Sequence, residues 1–202
     1  MNPQQQLPPN YLDQIAPQSA KHPFLVNKKR LVILGIVLAI VLVSILSFVA
    51  GQIGAARLEP WERLAARIAT TSEIVASSEG KIKNSDLRST NSNLKISLTN
   101  TKRDLVTPLT AIGIDAEKLS ISVVSSESSV AMLSRLEDAR LNAKYDSTYA
   151  REMSFQLSNL LTLLRQLYNS SSNASNKAFL ETTYNNFEPV QESLSKFSAS
   201  NE

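Results

Sequence analysis

The sequence predicts an all-α chain in three parts: an N-terminal disordered tail, one transmembrane helix, and an extracytoplasmic antiparallel bundle of four to five helices. Three observations carry this prediction. Leu31 to Ala50 holds no charge and is almost wholly aliphatic. Beyond Gly54 only Gly80 and Gly113, with Pro60, Pro108 and Pro189, punctuate the chain. In that stretch apolar residues recur at three- and four-residue spacing, and no long run alternates with the period of a strand. The expected boundaries are a tail at 1–30, a span at 31–51, a linker at 52–59, a bundle at 60–198 and a short tail at 199–202.

Five of the eight prolines fall in the first thirty residues, among many glutamines, a composition that does not build a packed core. Between Pro9 and Pro17, Tyr11, Leu12 and Ile15 fit one face of a single helical turn. They are either a docking motif for a cytoplasmic partner or three stray apolar residues in a disordered leader, and composition favours the latter.

The span follows. Twenty helical residues at about 1.5 Å each reach roughly 30 Å, the thickness of a hydrocarbon core. A cleaved signal has a shorter apolar stretch, about 7–15 residues, behind a short leader. A cut after Gly51 or Ala55 would meet the small-residue rule only loosely, so the segment reads as an anchor in the lipid bilayer. Lys28, Lys29 and Arg30 abut its N-terminal end, whereas Arg57 and Arg63 beyond it are mixed with Glu59 and Glu62. The positive-inside rule then puts the tail in the cytoplasm and the C-terminal domain outside the cell membrane. Gly35, Ala39, Val43, Ser47 and Gly51 recur every four residues. Such a small-residue stripe is a candidate face for homo-oligomer formation, although small residues are common in membrane helices.

In the bundle, a first helix is expected from Pro60 to a stop at Gly80, with Trp61, Leu64, Ile68 and Val75 as its apolar face. Trp61 suits the first core layer or the lipid headgroups, and its helically spaced companions favour the core. A second helix begins near Ser85 and carries Leu87, Asn91, Leu94, Leu98, Thr101 and Leu105 in one stripe. Pro108 is expected to kink or end it, and Gly113 to close it. A third is expected from Asp115 towards Lys144, with the serine-rich segment 125–129 as a weak point. A fourth runs from Asp146 or Ser147 to about Tyr168. Its Leu157, Leu160, Leu161, Leu163, Leu164 and Leu167 cover more than half its circumference, which predicts a central position. The last runs from about Ser175 to Phe197, bent at Pro189, with Phe179, Thr183, Phe187, Val190, Leu194 and Phe197 on one face. Short connections predict up-and-down packing.

Chemistry is scarce in this sequence. There is no cysteine, and the one histidine, His22, lies in the tail. Cysteine and histidine nucleophile pairs, thiolate metal sites and disulfides are thereby removed from the outer domain. No acidic loop has calcium-site spacing and no glycine-rich phosphate cradle exists, so no enzyme, cofactor or metal is expected. Of the 21 basic and 18 acidic residues, the first thirty hold four bases and one acid. The rest is balanced at seventeen of each, which argues against nucleic acid as a partner.

What remains is polar. Arg88, Asn91 and Asn93 on the second helix are expected to approach Glu137, Asp138, Arg140 and Asn142 at the end of the third, and Arg151 and Glu152 at the start of the fourth. The group is either a recognition surface for a partner or an ion-pair and amide layer that sets helix register. Spacing favours the second, because pairs three and four residues apart are ordinary on helices.

The segments "LRSTNSNL", "LTNTKRDL" and "LEDARLNAKYDSTYAREM", with "YLDQIAP" ahead of a basic-flanked span, resemble small single-pass envelope proteins of Saccharibacteria-type candidate-phylum bacteria. The resemblance covers tail, span and helical domain in order. It implies a bacterial envelope setting, no catalytic activity, and idle glycosylation sequons at Asn169 and Asn173. The expected role is a membrane-anchored, non-catalytic scaffold or protein-interaction module. The competing expectation is a sensory ectodomain that binds a small ligand and signals through a partner.

Overall fold

A computed structural model of the chain describes residues 58–200, which are helical apart from their connections. The helices are α1 (58–78), α2 (Ser85–Ala111), α3 (Ile121–Ser126), α4 (Val130–Leu141), α5 (Tyr145–Ser170) and α6 (Ala174–Ala199). The described residues contain no strand, and none of their helices is long and apolar enough to cross a membrane. The expected span at 31–51 lies outside the described residues. So do Tyr11, Leu12, Ile15, Lys28, Lys29, Arg30, Gly35, Ala39, Val43, Ser47 and Gly51.

α1 is already helical at Leu58, two residues ahead of Pro60, and Leu58 packs against the core. Trp61 is buried with Leu64, Ile68, Ile74 and Val75 and is therefore a core residue. The helix gives way to a turn in which Gly80 has a φ of 76°, a left-handed conformation that glycine adopts without steric penalty. α2 opens on Asn84, whose side chain accepts from the N–H groups of Asp86 and Leu87. All six residues of its expected stripe are buried. Pro108 lies inside it and does not stop it. It falls in the last turn, three residues before Ala111, and Gly113 then reverses the chain.

The third helix departs from expectation. Asp115 caps a turn, accepting from Glu117 N–H at 3.0 Å, and α3 begins only at Ile121. The serine-rich segment separates α3 from α4, as these side chains compete for backbone hydrogen bonds. The break is held in place by α1. Arg67 makes a fork to Glu127 at 2.8 and 2.9 Å, and Ser129 donates to Glu73 at 2.8 Å. A continuous helix from 115 to 144 would carry Glu127 and Ser129 away from these partners. The segment instead lies along α1 as a strap.

α5 holds the centre. Its six expected leucines are buried, together with Tyr145, Tyr149, Ala150 and Met153. Pairs of contacts set the direction of its neighbours. Arg67 reaches the Asn159 carbonyl while Ser78 meets Tyr145, so α1 runs antiparallel to α5. Met132 and Arg135 of α4 meet Gln156 and Glu152, and Tyr184 and Gln191 of α6 meet Arg165 and Ser154, with the same result. α6 opens on Asn173, which caps Ser175 and Asn176, and continues across Pro189 without a break in its helix. It buries Leu180 and Phe187 fully.

Truncating Leu160 to Ala should destabilise the bundle by about 2–5 kcal/mol, the usual range for a leucine cavity. Phe155, 65% exposed on α5, should change stability by no more than about 0.5 kcal/mol when cut to Ala. Urea unfolding of the two variants measures the contrast.

Candidate functional site

The nine polar residues singled out from sequence divide between two jobs. Asn91 is internal, only 3% exposed, and accepts a short hydrogen bond from the Tyr149 hydroxyl while its amide reaches the Val75 carbonyl at 3.5 Å. One turn away Tyr145 donates to Ser78 at 2.8 Å, and Ser78 donates to the Ile74 carbonyl. The two tyrosine rings stack with centroids 6.2 Å apart. Burial pushes both phenols above their ordinary range and keeps them as neutral donors. This layer ties α1, α2 and α5 in a single register, and Asn91 is a structural member of it.

The other residues are on the surface, and they do not form one network. Glu137 and Arg140 pair within α4, at 2.6 to 3.0 Å. The hydrogen bond from Arg140 holds Glu137 below the usual carboxylate range. Asp138 and Asn142 interact locally, the Asn142 amide donating to the Asp138 carbonyl at the end of α4. Glu152 pairs with Arg135 at 2.7 Å, with Arg151 more distant at 3.7 Å. Asn93 is exposed on α2. The expected single constellation is corrected on this point: Glu152 turns to Arg135 of α4 with Arg151 exposed beside it, and Arg88 bonds the α1–α2 connection instead.

Arg88 leads to something the sequence did not suggest. Its guanidinium donates to the Lys83 carbonyl at 2.7 Å and, more weakly, the Ile82 carbonyl at 3.4 Å. From the opposite side, Asp146 accepts from the N–H groups of Lys83 at 3.0 Å and Asn84 at 2.7 Å. The α1–α2 connection is thus clamped through its carbonyls and its N–H groups at once. Beside it opens a cleft of about 420 Å³ lined by Lys81, Lys83, Arg140, Lys144, Tyr145 and Asp146, with Phe197 of α6 at its edge. Ala143 turns the chain from α4 into α5 with a φ of 57° and so sets Lys144 on the rim. Lys144 is also the N-cap of α5, and its side chain makes no capping hydrogen bond.

Of the residues expected from sequence, the structure brings only Arg140 to the cleft wall, with Glu137 behind it and Arg88 bracing the loop. Lys81, Lys83 and Lys144 escaped because each is an isolated cation in a connection. Their only sequence signal was the clustering of bases at positions that helix boundaries bring to one end. Leu58, the first described residue of α1, lies at the other end of that helix from this cleft. Among the described residues, no group of three or more acidic or histidine side chains is placed to hold a metal. No protein-family model, curated protein or solved structure matches the chain.

Tyr149→Phe should cost about 1–3 kcal/mol in a denaturant melt, because it leaves the buried Asn91 oxygen without its donor. Arg140→Ala should leave the melting temperature unchanged and raise the Glu137 pKa towards its ordinary value of about 4.3, followed by NMR. The sign follows from the depressed pKa. Any stability the pair lends is complete above the unfolded value and is lost as pH falls through the lower, folded one.

Proposed function

We propose that this chain is a membrane-anchored, non-catalytic helical bundle of the bacterial envelope that acts by binding a partner, as a scaffold or protein-interaction module. The carrying observation is the cleft of Lys81, Lys83, Arg140 and Lys144, a cationic concavity on a domain whose bases and acids balance as a whole. Surface cations gathered around a concave site serve recognition and steering of a partner more directly than they serve folding.

The anchor is supported by the uncharged stretch from Leu31 to Ala50 and by the bases Lys28, Lys29 and Arg30 before it. The envelope setting is supported by the resemblance of the chain's segments to single-pass envelope proteins. A binding role without chemistry is supported by the side chains themselves. The domain has no cysteine or histidine, and its buried hydroxyls at Ser78 and Tyr149 are spent on register. The span's small-residue stripe from Gly35 to Gly51 adds a self-association face. A cleft of this size also suits the sensory alternative, in which a small ligand is bound and a partner carries the signal.

Protease added to intact cells should remove the C-terminal domain and spare the tail. Extraction in mild detergent should retain a stoichiometric protein partner without added ligand. A protected C-terminal domain, or a mature product without its apolar segment, overturns the placement. Solitary purification, together with a melting temperature that rises on adding one small metabolite, transfers the function to the sensor. Replacing Gly35 and Ala39 together by Leu should abolish crosslinking between copies, and unchanged crosslinking removes the self-association face.

A further inference from the structure

We propose that the cleft at the end of the bundle is a binding site for a multivalent, phosphate-bearing anion held by Lys81, Lys83 and Lys144. This ligand class rests on the binding role above and adds the chemistry that the bound group must carry.

The wall holds four cations, Lys81, Lys83, Arg140 and Lys144, and one acid, Asp146. Asp146 is engaged elsewhere, its two oxygens taken by the Lys83 and Asn84 N–H groups of the adjoining loop. Glu137 neutralises Arg140 from behind and lies close enough to Lys81 to feel its charge. Counting both acids among the described residues leaves a surplus of two positive charges. Among the described residues, the ammonium groups of Lys81, Lys83 and Lys144 have no carboxylate oxygen within 4.0 Å. Like charges that share a rim repel, and a multivalent anion between them adds to each an attraction that outweighs that repulsion.

The kind of cation decides the kind of anion. Arginine's planar fork matches a carboxylate, but Arg140 has already committed Nε and Nη2 to Glu137. What remains is three compact charges on flexible stems. Two rise from the clamped α1–α2 connection and one from the α4–α5 turn. Point charges approaching from separate segments suit the three-dimensional spread of phosphate oxygens better than a flat carboxylate. About 420 Å³ exceeds the need of a lone phosphate and lies within the range of small-molecule sites. A diphosphate or a phosphate ester with a small organic group fits that description.

The test uses the full chain in detergent micelles, with inorganic pyrophosphate as the probe and citrate as a carboxylate comparator, by titration calorimetry. Pyrophosphate should bind, and binding should weaken as salt is raised because the lysines are exposed to solvent. The variant K81A/K83A/K144A should lose about tenfold or more in affinity while keeping its thermal melt, and K102A, an exposed lysine of α2, should match the parent. Absent pyrophosphate binding, equal affinity for citrate, or an equal loss in K102A overturns the site. Displacement of pyrophosphate by glucose 6-phosphate marks a soluble ester, and displacement by short-chain phosphatidic acid marks a lipid headgroup. Either supports an ester as the ligand, and displacement by neither, with pyrophosphate still bound, supports the diphosphate. A stoichiometric protein partner retained by a chain that ignores pyrophosphate removes the phosphate site alone. Pyrophosphate binding by a chain that purifies without a partner keeps the site and removes the scaffold.

Discussion

The burial of α5 on most of its sides sets the terms for every other helix. A segment carrying Leu157, Leu160, Leu161, Leu163, Leu164 and Leu167 exposes apolar surface over more than one stripe, at about 25 cal/mol for each Å² left in water. One neighbour cannot cover it. α1, α4 and α6 each lie antiparallel to it, and α2 closes the remaining space beside α6. Such a helix also demands that its neighbours be fixed in register, since leucines alone permit a helix to slide or rotate. The Tyr149–Asn91 and Tyr145–Ser78 contacts do that work. Each removes a polar group from water only where one alignment supplies its partner, so a shifted alignment is penalised even where its apolar contacts are adequate.

Much of this was legible because it depends on periodicity. The stripes of α1 and α2, the breadth of α5, and the caps near Ser85 and Ser175 are local properties of the chain, and the structure keeps them within two residues or so. Pro108 and Pro189 both sit inside helices that continue past them. A proline near a helix end forfeits a bond that would soon be absent anyway, and one on an exposed face leaves its orphaned carbonyl to water. The division of the third helix was the larger departure, and it was only half visible. Serines at 125–129 showed where the chain would break, but the reason it breaks lies sixty residues away, in Arg67 and Glu73 of α1.

The candidate site was less legible for a related reason. Charge was read as a total over the domain, where seventeen bases and seventeen acids cancel. Binding depends on where charges stand in space. Several acids pair with a base on their own helix or on a neighbouring segment, as Glu59 does with Arg63 and Glu79 with Lys95, whereas Lys81, Lys83 and Lys144 lie in connections without such a partner among the described residues. Asp146 illustrates the difficulty further. In the sequence it reads only as a possible start of the fourth helix, yet its oxygens secure the backbone of another segment altogether. Nothing in the sequence links residues 83 and 146.

The placement of Leu58 and the cleft at opposite ends of α1 has a mechanical meaning. A pull applied between Leu58 and Lys144 runs parallel to the helix axes of α1 and α5. The seam between α1 and α5 is then loaded in shear, so its buried contacts, the Arg67 bridge and the Tyr145–Ser78 bond share the strain together instead of parting one after another. A domain loaded in this direction resists pulling better than its modest surface ion pairs would suggest.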